Sequence, residues 1–174
     1  MKFEALHNGY FIFMYNIPID LRPYRSLLKG KIVQDKEDPQ KQKKYVFGHI
    51  REKWLVYQPE ELVRQLLIHY LIETLDYNKN RIQVERQFMV NKRRKRLDIL
   101  VFDEDAQPFL LIECKAPDVP INELAMRQIG IYNLELKIPY LLVTNGQTSY
   151  CCKIDFENED KEYLQAIPKP PSSH

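Results

Sequence analysis

The chain has 174 residues, 44% apolar and 29% charged, with a formal net charge of +2. That length buries a real core in one domain, or a domain with an arm, and is short for two full domains. The small net charge excludes a global electrostatic argument for any partner, so charge has to be read locally. No apolar run reaches the roughly 18 residues of a membrane span, and the opening MKFEALHNGY lacks a signal-peptide core, so the expected setting is cytoplasmic with no membrane. Cys114, Cys151 and Cys152 are an odd set without metal-ligand spacing, and a reducing compartment leaves them as thiols.

Residues 1–57 are rich in aromatics and prolines, with strand-like pieces YFIFMY and KYVFGH around the polar stretch QDKEDPQKQKK. They read as an irregular, strand-containing N-terminal arm packed on a core of residues 58–167, with 168–174 as a flexible tail. PEELVRQLLIHYLIETL is the first helix, because Leu62, Val63, Leu66, Leu67, Tyr70, Leu71 and Leu75 recur at helical spacing. Pro59 fits its first turn, and Glu60 and Glu61 suit the positive end of its dipole. Three strands follow, RIQVERQFMV, RLDILVF and FLLIECK, joined by the polar turns NKRRK and DEDAQP. The last two are apolar on both faces, which predicts a central sheet covered on each side. A second helix starts at the N-cap Asn122 and runs to about Leu136. The buried strand YLLVTN, a tight turn at Asn145 and Gly146, and the strand TSYCCKID come next, then a short helix near residues 158–166. Helix, three strands, helix, two strands is the order of a mixed α/β domain with one helical crossover.

In LLIECKAP a buried strand runs straight into Glu113 and Lys115. If DEDAQP closes a symmetric antiparallel hairpin with Phe102 opposite Phe109, Asp98 falls opposite Glu113; a loop of odd length puts Asp98 out of reach. Directly opposed residues have Cβ atoms about 4.5–5.5 Å apart. Two carboxylates that near do not both ionise without help, so neutralising Asp98 should stabilise the metal-free fold. Lys115, two residues on, shares the face of Glu113. A hard divalent cation such as Mg²⁺ resolves the repulsion through carboxylate oxygens, leaving Lys115 to orient or help deprotonate a water and to stabilise negative charge. The plainer alternative is a set of strand-end charges reaching solvent, with Asp98 paired to Arg96 or Lys115.

An Asp, a strand ending in Glu-x-Lys and a helix carrying Gln-x-x-x-Tyr together resemble the PD-(D/E)xK nuclease superfamily. The ordered set PEELVRQLLIHYLI, RKRLDILVF, FLLIECKAP, RQIGIYN and YLLVTNG, over residues 59–146, resembles the N-terminal nuclease domain of type I restriction enzyme R subunits, including short stand-alone versions of it. The resemblance implies a restriction-endonuclease-like mixed central sheet flanked by helices, and an (endo)deoxyribonuclease of the hydrolase class that uses Mg²⁺ or Mn²⁺. It implies Asp98, Glu113 and the Cys114 carbonyl as metal ligands and Lys115 as the catalytic lysine. Glu61 resembles the acid that completes such a site from the first helix, with Glu60 and Glu73 as alternatives. Gln128 and Tyr132, four apart and so on one helix face, resemble the motif that borders the active site and contacts nucleic acid; otherwise Tyr132 is core with Gln128 at its edge.

The run Lys92, Arg93, Arg94, Lys95 and Arg96, with Lys79, Arg81 and Arg86 upstream, is suited to the phosphates of DNA; its alternative is a solvated hairpin tip. Arg64 reads as support for the first helix and His69 as a packed or surface histidine. Trp54 and the tyrosines of the arm read as core or interface residues, with stacking on bases a further use. None of the five glycines builds a G-x-x-x-x-G-K-[ST] loop, so no ATPase motor is visible. Translocation would need another chain, which makes restriction-modification or helicase subunits candidate partners beside DNA. No helix-turn-helix or zinc-finger pattern is present, so sequence specificity is not expected here. The expectation is metal-dependent hydrolysis of DNA phosphodiesters. The competing one is a nucleic-acid-binding or protein-docking module that keeps the fold without turnover.

Overall fold

The N-terminal segment is more regular than its composition predicts. In the computed structural model, which describes residues 2–7, 10–35, 38, 40–90 and 93–171, β1 (Lys2–His7) and β2 (Tyr10–Met14) form an antiparallel hairpin. A 3₁₀ turn, Arg22–Leu27, leads to β3 (Gly30–Gln34), β4 (Gln42–Gly48) and β5 (Lys53–Val56), a three-stranded antiparallel sheet. The helix α1 (Pro59–Glu73) follows, with extended Gln58 before it and Glu60 and Glu61 in its first turn. Val63, Leu66, Leu67, Ile68 and Leu71 are buried, whereas Leu62, Tyr70 and Leu75 are half-buried. The buried surface is wider than one stripe because α1 lies against the central sheet and is also touched by β4 and the 3₁₀ turn.

The stretch RIQVERQFMV does not form one strand. It breaks at Glu85, whose φ of 52° is left-handed, into β6 (Ile82–Val84) and β7 (Gln87–Val90). β7 leaves the central sheet and pairs with β8 (Arg93–Arg96), so the basic run expected to be a turn is largely a strand. β9 (Ile99–Phe102), β10 (Pro108–Cys114), α2 (Glu123–Leu136), β11 (Tyr140–Thr144) and β12 (Ser149–Asp155) match the expected elements. The helix expected at 158–166 is instead β13 (Asp160–Leu164), antiparallel to β12. The Asp155 carboxylate accepts the N–H groups of Glu157 and Asn158 and Glu159 takes a φ of 52°, which closes a hairpin where a helix would have begun. Beyond it Ile167 is buried, the Tyr77 hydroxyl donates to the Pro168 carbonyl, and Lys169 pairs with Asp76 at 3.3 Å. The tail's last residues, 172–174, lie outside the described residues.

The central sheet has the order β13-β12-β11-β10-β9-β6. β10 and β11 are parallel and α2 connects them, which is the expected single crossover; the other pairs are antiparallel. Alternation divides the side chains between two cores. Ile99, Val101, Leu110, Ile112 and Leu142 pack with α1, while Leu100, Leu111, Leu141 and Val143 pack with Met126 and Ile129 of α2. Both faces are therefore covered, as the continuous apolar strands predict. The β9–β10 register departs from expectation at its start, since Phe102 pairs with Pro108 and not Phe109. A bulge then restores Val101 to Leu110, Leu100 to Leu111 and Ile99 to Ile112. Continuing that register places Asp98, one step past the end of β9, level with Glu113.

Candidate active site

Glu113 and Lys115 stand at the carboxyl end of β10, beside its parallel neighbour β11, which is where open α/β sheets hold ligands. The Lys115 ammonium donates to Glu113 Oε1 at 2.7 Å. Burial raises the pKa of Glu113, and the charge of Asp98 raises it further, while Lys115 pulls it back only in part. Burial works against the Lys115 charge, yet the Glu113 hydrogen bond and the charges of Glu113, Glu60 and Asp98 hold its pKa above that of a free lysine. Asp98 is buried. Its Oδ2 accepts the Cys114 N–H at 2.7 Å and its Oδ1 accepts from Arg64 Nη2 at 2.6 Å. The pairing of Asp98 with Arg96 or Lys115 that the plainer alternative required is not the one found: Asp98 pairs with Arg64, and Arg96 with Glu85 at 2.9 Å.

Arg64 is the residue whose role the sequence reading missed. It is 4% exposed, and its guanidinium bridges Glu61 Oε2 and Asp98 Oδ1, tying α1 to the end of β9. Burial disfavours its charge, but Asp98 and Glu61 outweigh that and raise its pKa. Glu61 Oε1 in turn accepts from Gln65 Nε2 at 2.8 Å, and Gln65 Oε1 accepts the His49 N–H at 2.9 Å. A chain of polar contacts so runs from the β4–β5 turn through α1 to Asp98. The signal for it was present: Glu61, Arg64, Gln65 and Ile68 follow helical spacing on a buried face.

The three candidate acids of α1 occupy different places. Glu60 is exposed and its charge bears on Glu113 and Lys115. Glu61 is buried in the Arg64 contact. Glu73 is at the far end of the helix, about 20 Å away at 1.5 Å per residue, where its charge acts on His49 and His69. On α2, Gln128 is exposed and Tyr132 half-buried, beside the buried stripe of Met126, Ile129 and Asn133. Of the basic run, Lys92 lies outside the described residues, as do the side chains of Arg93, Arg94 and Lys95. Arg96 is described, on the strand beside Asp98 and paired with Glu85. A groove of about 500 Å³ opens next to the strand ends, lined by Leu62 and Val63 of α1, Arg22 and Arg25, Pro117 and Gly146.

Among the described residues no group of three or more His, Cys, Asp and Glu side chains is arranged to hold a metal ion. The chemistry of the donors nevertheless fits a hard cation. Asp98 and Glu113 are carboxylates with about four lone-pair sites each, of which the protein uses two on Asp98 and one on Glu113. Mg²⁺ keeps several waters and needs only one or two protein carboxylates.

The family model described as Type I restriction enzyme R protein N terminus (HSDR_N) matches residues 59–168, the stretch from α1 to just past β13. The chain belongs to this family. No curated protein matches it. Among solved structures it is similar to a fragment assigned to an HsdR subunit of a type I restriction enzyme from Vibrio vulnificus YJ016, at 24% identity. That likeness covers 52% of this chain with a TM-score of 0.35, and this chain spans 17% of that one. The family's matched stretch contains Asp98, Glu113 and Lys115 and leaves β1 to β5 outside. Among the described residues no helix is long and apolar enough to cross a membrane. Cys114, Cys151 and Cys152 are free and buried.

Proposed function

We propose that this R-protein N-terminal domain hydrolyses phosphodiester bonds in DNA, with a restriction-endonuclease-like site at the carboxyl end of β10. The observation that carries the reading is the Lys115–Glu113 contact beside Asp98, whose charge makes ionisation of Glu113 unfavourable. Asp98 and Glu113, with the main-chain carbonyl of Cys114, would hold Mg²⁺ or Mn²⁺, which when bound supplies Lewis acidity and offsets the like charges. Glu61 would support this set through Arg64, and Glu60, nearer to Glu113, is the freer acid to complete it. Gln128 and Tyr132 would border the strand of DNA, and the basic strand β8 would lie along its phosphates.

In hydrolysis the oxygen of a water bonds to phosphorus and the bridging P–O bond breaks, leaving a terminal phosphate and a hydroxyl. Negative charge grows on the phosphoryl oxygens meanwhile. Lys115 stays an ammonium at neutral pH because its acidic neighbours hold the proton, so we assign it the orienting and charge-stabilising part and not that of a base. The water's proton leaves to solvent or to a carboxylate. Incubation of the purified protein with supercoiled, linear and single-stranded DNA, with Mg²⁺ or Mn²⁺ against an EDTA control, tests the reading. Cation-dependent cleavage is expected; DNA and cation binding without cutting of any substrate would favour a docking module.

A further inference from the structure

The strands β3, β4 and β5 lie outside the family match and contain no acidic residue. Their register sets Lys31 opposite Tyr45 and Phe47 opposite Trp54, with Lys29 bonded across to Phe47 and Lys43 two residues from Tyr45 on the same side. On the other side Val46, 3% exposed, and Gly48 are buried, while Ile32 and Lys44 towards the far end are exposed. Trp54 is 39% exposed and Tyr45 and Phe47 half-buried, so this face presents three rings to solvent. The Lys31 ammonium stands 4.4 Å from the Trp54 ring centre and 5.6 Å from that of Tyr45, and the Lys29 ammonium 5.8 Å from that of Phe47. Phe47 and Trp54 meet edge to face at 5.4 Å. Lys43 pairs with Asp35 at the rim; among the described residues Lys29 and Lys31 make no ion pair.

Rings interleaved with unneutralised ammonium groups fit one kind of partner closely. A single strand of DNA offers flat base faces and a phosphate at each step, whereas a duplex hides its base faces in the stack. A protein partner of acidic, apolar character would also bury aromatic rings, but the alternation of ring and ammonium matches the base-and-phosphate repeat of a single strand more closely. The sheet is also tied through its turn to the polar contacts that lead to Asp98. The turn that joins β4 to β5 donates the His49 N–H to Gln65 and sends Arg51 to Glu85, the carboxylate that also meets Arg96.

We propose that this face of β3–β5 is a stacking platform for single-stranded DNA, taking bases on Tyr45, Phe47 and Trp54 and phosphates on Lys29 and Lys31. It is a binding site separate from Glu113 and Lys115 and does not rest on hydrolysis there.

Trp54 is the single tryptophan of the chain, so its emission reports on this face alone. The full chain is titrated in EDTA with a short oligodeoxythymidylate, and affinity is read independently from the anisotropy of labelled DNA. Saturable quenching of Trp54 is expected, with weaker binding to a duplex of the same length. Trp54→Ala and Tyr45→Ala should each weaken affinity roughly 5- to 150-fold, the range for loss of one stacked base. The double variant Lys29→Ala/Lys31→Ala should flatten the salt dependence by roughly one to two units of slope; it leaves the rings in place and so guards against a folding defect in the ring variants. Absence of quenching, or affinity and salt slope unchanged in the folded variants, overturns the proposal. So does a dimer in sedimentation that Trp54→Ala abolishes while DNA affinity is nil, since the face would then be a protein contact. EDTA keeps cleavage out, so failure here leaves the Glu113–Lys115 reading standing, and failure of cleavage leaves this one standing.

Discussion

Asp98 and Glu113 look alike in the sequence and differ in the fold. Asp98 is neutralised by Arg64, whereas Glu113 has the weaker compensation of Lys115 at a site where burial and Asp98 oppose its charge. Neutralising Asp98 would relieve its repulsion of Glu113, but Asp98→Asn also removes an acid that Arg64 holds alongside Glu61 and Glu85, so the net effect expected is destabilisation. Arg64→Met should cost more, about 3–5 kcal/mol by urea unfolding, because it leaves Glu61 and Asp98 buried without their cation. Glu113→Gln should act in the opposite direction. Folded Glu113 holds its proton more tightly than the unfolded chain does, so stability falls as pH rises from the ordinary glutamate value through the raised one. The advantage of Glu113→Gln in Tm should be absent below that window and reach a plateau above it; an advantage that shrinks with rising pH would show that Lys115 outweighs burial. In the metal-free protein the Glu113 carboxyl should titrate above the normal glutamate range by NMR, and higher still in Lys115→Ala, since Lys115 is the group that lowers the Glu113 pKa.

At the level of elements, α2 is held at both ends by single side chains. Asn122 Oδ1 caps its start by accepting the Ala125 N–H at 3.2 Å. Asn133, 1% exposed, accepts the Ile138 N–H at 2.9 Å and donates to the Ile138 carbonyl at 2.7 Å, fixing the turn from α2 into β11. Asn133→Ala leaves both main-chain groups of buried Ile138 unpaired, at about 1–3 kcal/mol for each group left unsatisfied. A fall of several kcal/mol in urea unfolding is expected, and a change under 1 kcal/mol would mean that water replaces the amide. The helices and β10 to β12 were legible because period and apolar runs agree with the burial they meet. The elements that were misread are those where local turn chemistry or pairing overrides composition. DKEYL looks helical, yet Asp155 builds the turn that sends it back along β12. Four basic residues in a row look like a loop, yet β7 supplies their ladder. Arg64 was read as support for the first helix, and its tie to Asp98 was missed because a charged residue in a helix ordinarily faces water; only the buried face it shares with Glu61 and Gln65 reveals it.

On the scale of the whole molecule, a central sheet covered by one helix on each face carries a cluster of charges at one strand end, and a separate basic–aromatic sheet stands next to it. Asp98 level with Glu113 followed from an assumed symmetric hairpin, and the bulge at Pro108 shows that the loop geometry assumed for it was wrong although the register beyond the bulge agrees. The family match over residues 59–168 covers the sheet and its charges and says nothing of the N-terminal strands. Everything proposed for hydrolysis converges on Lys115, a half-buried ammonium paired with Glu113 and under the charges of Glu60 and Asp98. Single-turnover cleavage of DNA by Lys115→Ala, alongside its DNA affinity and cation affinity, is the most direct measurement. The account predicts a rate lower by about 10²–10³-fold, the loss expected on removing one charge-stabilising donor, with both affinities within a few-fold of wild type. Cleavage by Lys115→Ala at the wild-type rate would contradict it.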